Sequence, residues 1–193
     1  MKKFIYTIIV TVALLFALIE WLRHPLPVTK GTHTISGLSK QVDIYTDEYG
    51  VPHIFAENEQ DLFFAAGYIA ARDRLFQLSL VSLAVRGGLS SVLGPEYLEK
   101  DIYFRTWKIH ETAKKLVENM DARNKIIFED FCKGINFRID EVYNDPPLEF
   151  KLLGFKPSHW DPTIVAGYAR MMAHEMSGLS LIHISEPTRH DQI

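Results

Sequence analysis

A chain of 193 residues with 47% hydrophobic and 23% charged residues is ordinary for a globular protein and long enough for one domain with a sizeable core. A formal net charge of −3 argues against a nucleic-acid partner, and a lone cysteine, Cys132, excludes an internal disulfide framework. No HExxH, CxxC, GxSxG or Gly-rich phosphate loop occurs, so these motif-based metal, redox, hydrolase and nucleotide classes have no support.

Lys2 and Lys3 precede an apolar run from Phe4 to Ile19, broken only by Thr7 and Thr11 and followed by Glu20, Trp21, Leu22 and Arg23. With Trp21 and Leu22 the run reaches the lower limit for a spanning helix, and the Lys pair would keep the N-terminus cytoplasmic. A cleaved signal peptide is the alternative, although Ala13 and Ala17 make no A-x-A site. On either reading residues 1–24 form a membrane anchor or signal segment. The rest of the chain is then expected on the periplasmic or extracellular side. His24 to Lys30, with Pro25 and Pro27, reads as a linker.

Gly31 to Leu38 alternates weakly and predicts an edge strand. Val42, Ile44, Val51, Ile54 and Phe55 favour extended structure, interrupted at Tyr49-Gly50 by a turn, with Pro52 fixing its own φ. Asn58 followed by Asp61 resembles a capping box with Asp in the place of Glu. A helix should therefore run from Glu59 to the Gly87-Gly88 stop, apolar on nearly every side from Leu62 to Ala71. Leu89 to Leu93 is at most two turns. Glu96 to Asn119 reads as one helix, and Asp121 caps another that ends at Asp145-Pro146-Pro147. Gly134 inside that helix costs about 1 kcal/mol relative to Ala. Phe150 to Pro162 reads as irregular, and Thr163 restarts a helix through Met176.

Few residues present themselves as chemistry. Asp73 lies between Arg72 and Arg74 in an apolar helix, where an ion-pair network tying the helix to its neighbours competes with a catalytic carboxylate. The network is the better reading, because no base or nucleophile adjoins Asp73. His53 follows Pro52 in a strand and reads as structural. His174-Glu175 forms a possible ligand pair with no third ligand nearby. Met172 and Met176 share one helical face, for which core packing is the plain expectation.

Four blocks in order, VDIYTDEYGVPHIFAEN, DLFFAAGYIAARDRLFQLSL, RGGLSSVLG and LEFKLLGFKPSHWDP, resemble the penicillin acylase family of N-terminal nucleophile hydrolases. The resemblance covers Val42 to Gly178. It implies an α+β fold, in which this chain is the N-terminal, helix-rich part of an αββα sandwich preceded by a transmembrane or signal helix. It further implies that residues 25–178 are an incomplete α-chain whose partner is the β-chain of the same precursor. The catalytic nucleophile, a Ser at the N-terminus of that β-chain with its α-amino group as base, would lie outside this chain. No catalytic residue is therefore assigned here, and neither Ser177 nor Ser180 is marked as a processed N-terminus.

By the same resemblance, Met172 and Met176 fall where the last α-chain helix lines the acyl-binding pocket. Met176 stands where the family often has an aromatic, and Glu175 where well-studied members have Arg. Both depart from the phenylacetyl-type pattern, and a soft, adaptable Met pair would suit aliphatic or mixed acyl chains. No cofactor and no metal ligand is assigned in this chain. A structural calcium in the full-length enzyme would draw its α-chain ligand from beyond Gly178. The implied reaction is hydrolysis of an acyl amide, with N-acyl-homoserine lactones as an alternative substrate and a non-catalytic membrane-tethered binding module as an alternative of another class. Residues 179–193 stand apart. Leu179 to Arg189 resembles the in-frame translation of a transposon-type sequencing adapter, so natural sequence is expected to stop near Gly178.

Overall fold

The computed structural model describes residues 2–23 and 31–185. Helix α2 (Glu59–Arg86) is the axis of the structure and makes its most extensive contact with α6 (Ala122–Val142). Two glycines make that contact possible. A Cβ on Gly67 would strike the carbonyl oxygen of Phe131, and one on Gly134 would strike the carbonyl oxygen of Phe64 and lie 2.7 Å from the Tyr68 nitrogen. Gly134, unfavourable for a lone helix, is thus what lets two backbones touch. Phe137 fills the flank of the crossing, with ring centroids 6.0 Å from both Phe64 and Tyr68.

The core continues along α2 from this crossing. Ala71, Leu75, Val85, Ile135, Ile139, Phe150, Trp160 and Ile164 are buried together. Burying each of the larger apolar side chains contributes roughly 1.5–3 kcal/mol relative to exposure. Phe76, Phe150 and Phe155 form an aromatic triangle with centroid separations of 4.9 to 6.3 Å. Asn136 holds the incoming 155–162 segment by two bonds. Its Nδ2 donates to the Trp160 carbonyl (2.9 Å), and its Oδ1 accepts from the Trp160 amide (2.7 Å).

The strand pair forms as the sequence predicts. Strands β1 (Asp43–Thr46) and β2 (Pro52–Phe55) pair antiparallel, with Ile44 opposite Ile54 and Tyr45 opposite His53. Asp47 closes the turn by accepting from the Tyr49 and Val51 amides at 3.0 and 2.8 Å. No strand forms over Gly31 to Leu38, where an isolated bridge joins Ser36 and Leu38. The two residues that follow, Ser39 and Lys40, are tied to α2 by hydrogen bonds to the Asp61 carboxylate.

Other boundaries also differ from the sequence reading. The helix expected over Glu96 to Asn119 is two, α4 (Leu98–Thr106) and α5 (Ile109–Glu118), because Lys108 adopts the left-handed conformation (φ 52°). A 3₁₀ turn over Pro95–Tyr97 and the short helix α3 (Ser90–Leu93) precede α4. Leu148–Leu153, expected to include the start of an irregular stretch, forms the short helix α7. The last helix, α8 (Pro162–Ser185), continues past Met176.

The N-terminal run forms helix α1 (Lys2–Arg23), and its side chains from Lys3 to Ala17 are all exposed. Among the described residues no helix is long and apolar enough to cross a membrane. The reading of α1 as a transmembrane helix is therefore unsupported by its described length and hydropathy. The linker at 24–30 and the tail at 186–193 lie outside the described residues.

Candidate functional site

Helix α8 carries the residues singled out as acyl-binding. Pro162 starts it, since a first-turn residue needs no amide hydrogen, and the Asp161 carboxylate accepts from the Thr163 amide (2.7 Å). Its inner turns pack into the core through Ile164, Ala166 and Met171, and Gly167 brings its backbone against the Val85 side chain. Met171, the residue before the Met172–Met176 pair, is the methionine that packs in the core. Met172 is 43% exposed and Met176 64%, so plain core packing does not account for either. They lie one turn apart on the outer half of α8, where no described side chain buries them. Two clefts, of about 360 Å³ between α2 and α6 and about 270 Å³ beside α4 and α5, are lined by other residues.

The sequence-flagged charges resolve into structural roles. Arg72 donates to both carboxylate oxygens of Asp73, at 2.7 and 3.1 Å, so the pair is local to one turn of α2. Asp73 is exposed and the backbone kinks at Arg74. A network linking the helix to its neighbours is not what this cluster forms. His53 lies 3.1 Å from Asp47 on the exposed face of the hairpin. Burial raises the Cys132 thiol to about 12, with Asp161 and Glu129 adding to the effect, so it is no nucleophile at neutral pH. Ser177 Oγ donates to the His174 carbonyl (2.6 Å), and the Ser180 side chain lies outside the described residues. Among the described residues no three His, Cys, Asp or Glu side chains are grouped to hold a metal ion. The side chains beyond Gly178, where the resemblance would put a calcium ligand, lie outside the described residues.

Two carboxylates that the sequence did not mark as a pair position the frame. Asp61 stands at the capping-box position of α2, and Asn58 Oδ1 accepts from its amide (2.8 Å). The Asp61 side chain, however, turns to the preceding loop. It accepts from the Ser39 amide (2.8 Å), Ser39 Oγ (2.7 Å), the Lys40 amide (3.0 Å) and Asn58 Nδ2 (2.6 Å). Burial opposes its ionisation, but these donors outweigh burial and hold the carboxyl at about 2.

Asp101 on α4 repeats the arrangement, accepting from the Leu89 amide (2.7 Å), the Ser90 amide (2.9 Å) and Ser90 Oγ (2.6 Å). Burial again opposes ionisation, and the Ser90 and Leu89 donors hold its carboxyl below the usual range. The turn it grips follows Gly87, whose left-handed φ of 64° ends α2 with Gly88 N–H bonded back to Leu83. The only sequence signal for either clamp was a Ser on the turn that each Asp receives.

A penicillin amidase family profile matches residues 41–189. The chain belongs to the penicillin amidase family. It is 33% identical over 134 residues to penicillin G acylase of Escherichia coli, covering 66% of this chain and 16% of that protein. It is 32% identical over 137 residues to the acyl-homoserine lactone acylase QuiP of Pseudomonas aeruginosa, covering 71% of this chain and 16% of that protein. Its structure is similar to that of thermostable penicillin G acylase from Alcaligenes faecalis, with a TM-score of 0.64 and 27% identity, over 72% of this chain and 75% of that one. The chain thus spans about a sixth of the length of these two curated relatives. Within that span the penicillin amidase fold is helix-rich, with one two-stranded sheet among the described residues.

Proposed function

We propose that the full-length protein is an exported amide hydrolase that cleaves an acyl chain from an amine-bearing core. Family membership over residues 41–189 carries this reading. The reaction would run through a Ser at the N-terminus of a β-chain released from the same precursor. Its hydroxyl attacks the amide carbonyl while its α-amino group takes the proton. The proton passes to the departing amine as the C–N bond breaks, and water then hydrolyses the acyl-enzyme. The β-chain is the partner of this chain, which supplies no nucleophile. In this reading its contribution is binding, through the face of α8 that carries Met172 and Met176.

Two features support an aliphatic or mixed acyl group over a strictly aromatic one. The methionine pair is unbranched and adaptable, and its outward face is free to meet a second wall contributed from elsewhere. The relatives also divide between a penicillin G acylase and an acyl-homoserine lactone acylase at nearly equal identity. N-acyl-homoserine lactones are therefore a second substrate reading. The test is a panel of phenylacetyl, short-chain and long-chain acyl amides and lactones on the full-length enzyme. Higher kcat/KM for aliphatic chains is expected, and a clear phenylacetyl preference would overturn the specificity reading. The present 193-residue chain should show no turnover of any of them, and measurable turnover would refute placing the nucleophile outside it.

Export rests on α1, which opens with Lys2 and Lys3 and exposes apolar side chains around its circumference. Membrane anchoring and a cleaved signal are the two forms it can take. Fractionation with N-terminal sequencing of the mature protein separates them, and recovery of the intact N-terminus in the cytosolic fraction would refute both.

A further inference from the structure

Helix α4 is held on two sides. On one side Asp101 grips the Leu89-Ser90 turn, and Arg105 Nε donates to the Gly87 carbonyl (2.9 Å), so α4 is fixed to the end of α2. Tyr103 and Trp107 each lie two residues beyond these anchors. Two residues step about 200° round a helix, which places them on roughly the opposite face. That face reaches α8. Tyr103 Oη and His174 Nε2 are 2.5 Å apart, and the Trp107 and His174 rings pack with centroids 4.3 Å apart.

His174 has a particular place on α8. It is the last side chain of that helix, among those described, that is not exposed. Met172 and Met176 lie two residues to either side of it in sequence, and so on roughly the opposite, exposed face of α8. A helix end without packed side chains opens at little free-energy cost. A binding wall needs its side chains held within about 0.5 Å. Helix α5 packs along α8, and the contacts of His174 add a second hold from the α4 side, at the point where the packed side chains of α8 end.

We propose that Tyr103, Trp107 and His174 form a latch that sets the position of the outer half of α8. They are positioning residues for the acyl-chain preference carried by Met172 and Met176, so the latch rests on the acyl-binding reading of that pair. Tyr103 and Trp107 are each about half exposed, and substitutions there do not open the core.

The test uses the full-length enzyme and two acyl amides with the same leaving group, one with a short and one with a long aliphatic chain. Tyr103→Phe removes only the hydroxyl, and His174→Leu removes both the hydrogen bond and the ring contact. Each should change the long-to-short ratio of kcat/KM by about three- to tenfold, the scale of one lost hydrogen bond, and mainly through KM. His174→Gln, which can still bond Tyr103, should return the ratio to within about twofold of the parent. Equal falls for both substrates, or no change in either, would overturn the latch. If His174→Leu fails to accumulate, Tyr103→Phe decides by the same ratio. Met172→Ala and Met176→Ala form the control arm. If they shift the ratio and the latch variants do not, the latch alone fails. If they leave it unchanged, the acyl-binding reading fails and the latch with it.

Discussion

The loop before α2 and the turn after it are held in the same way, by Asp61 and Asp101 respectively. Each carboxylate accepts two consecutive backbone amides and the hydroxyl of a Ser in the gripped segment. Both are buried, and both are held below the usual carboxylate range by those donors. Asp73, between them on α2 and far more conspicuous between two arginines, is exposed and meets only its neighbour Arg72. The contrast teaches that a buried, acid-shifted carboxylate need not signal chemistry. When its donors are amides of its own chain, it acts as a tie.

The tightest point between the two ties is the α2–α6 crossing, and breaking it should have the largest effect. Gly134→Val would drive a side chain into the α2 backbone, where no flexible neighbour can yield. We expect a loss of about 3 kcal/mol or more, read as failure to accumulate or a sharply lowered Tm of the full-length protein. A near-parental Tm would show that the helices separate cheaply.

Next come the ties themselves. Asp61→Ala and Asp101→Ala each leave two backbone amides without their acceptor, and should each cost about 1–3 kcal/mol in urea denaturation. Their pH dependence follows from the direction of the shifts. A carboxyl with a folded pKa below its unfolded value adds stability that is complete above the unfolded pKa, near 4. That stability is lost as pH falls toward the folded value, about 2 for Asp61. Both Ala variants should therefore differ most from the parent above about pH 5, and the difference should shrink on acidification, toward about pH 2 for Asp61→Ala. A difference that grows on acidification would contradict the tie.

The smallest effect is expected at Asp73. Asp73→Asn removes a charge but leaves a side-chain acceptor for Arg72, whose own side chain is largely buried, and should cost about 1 kcal/mol or less. It should also leave kcat of the full-length enzyme unaltered. A large fall in kcat with unchanged Tm would restore the catalytic reading of this residue.

Much of the local structure was legible because it depends on neighbours in sequence. The Asn58 and Asp121 caps, the Gly87-Gly88 stop and the hairpin turn at Tyr49-Gly50 all formed where residue chemistry put them. The division between α4 and α5 was not legible, because Lys108 carries no glycine-like signal for its left-handed φ. Nor was the extension of α8 past Met176, where propensity changes without a stop residue.

The candidate site was legible in part. Met172 and Met176 were singled out together because i, i+4 spacing alone puts them on one face, but that spacing cannot say whether the face is inside or out. Burial decided it, placing Met171 in the core and its two neighbours at the surface. The residues that reach α8 from α4, Tyr103 and Trp107, lie some seventy positions from His174 and share no pattern with it, so sequence could not bring them together.

By itself, then, the sequence determined family, helix caps and the Met face, all properties of short stretches or of ordered blocks. The tertiary structure alone decided which glycines are contact points, which aspartates tie the chain and what α8 rests against. Those depend on where segments distant in sequence meet. Gly134 shows the difference most plainly: a local cost of about 1 kcal/mol in the sequence, and in the fold the residue that lets two helices touch.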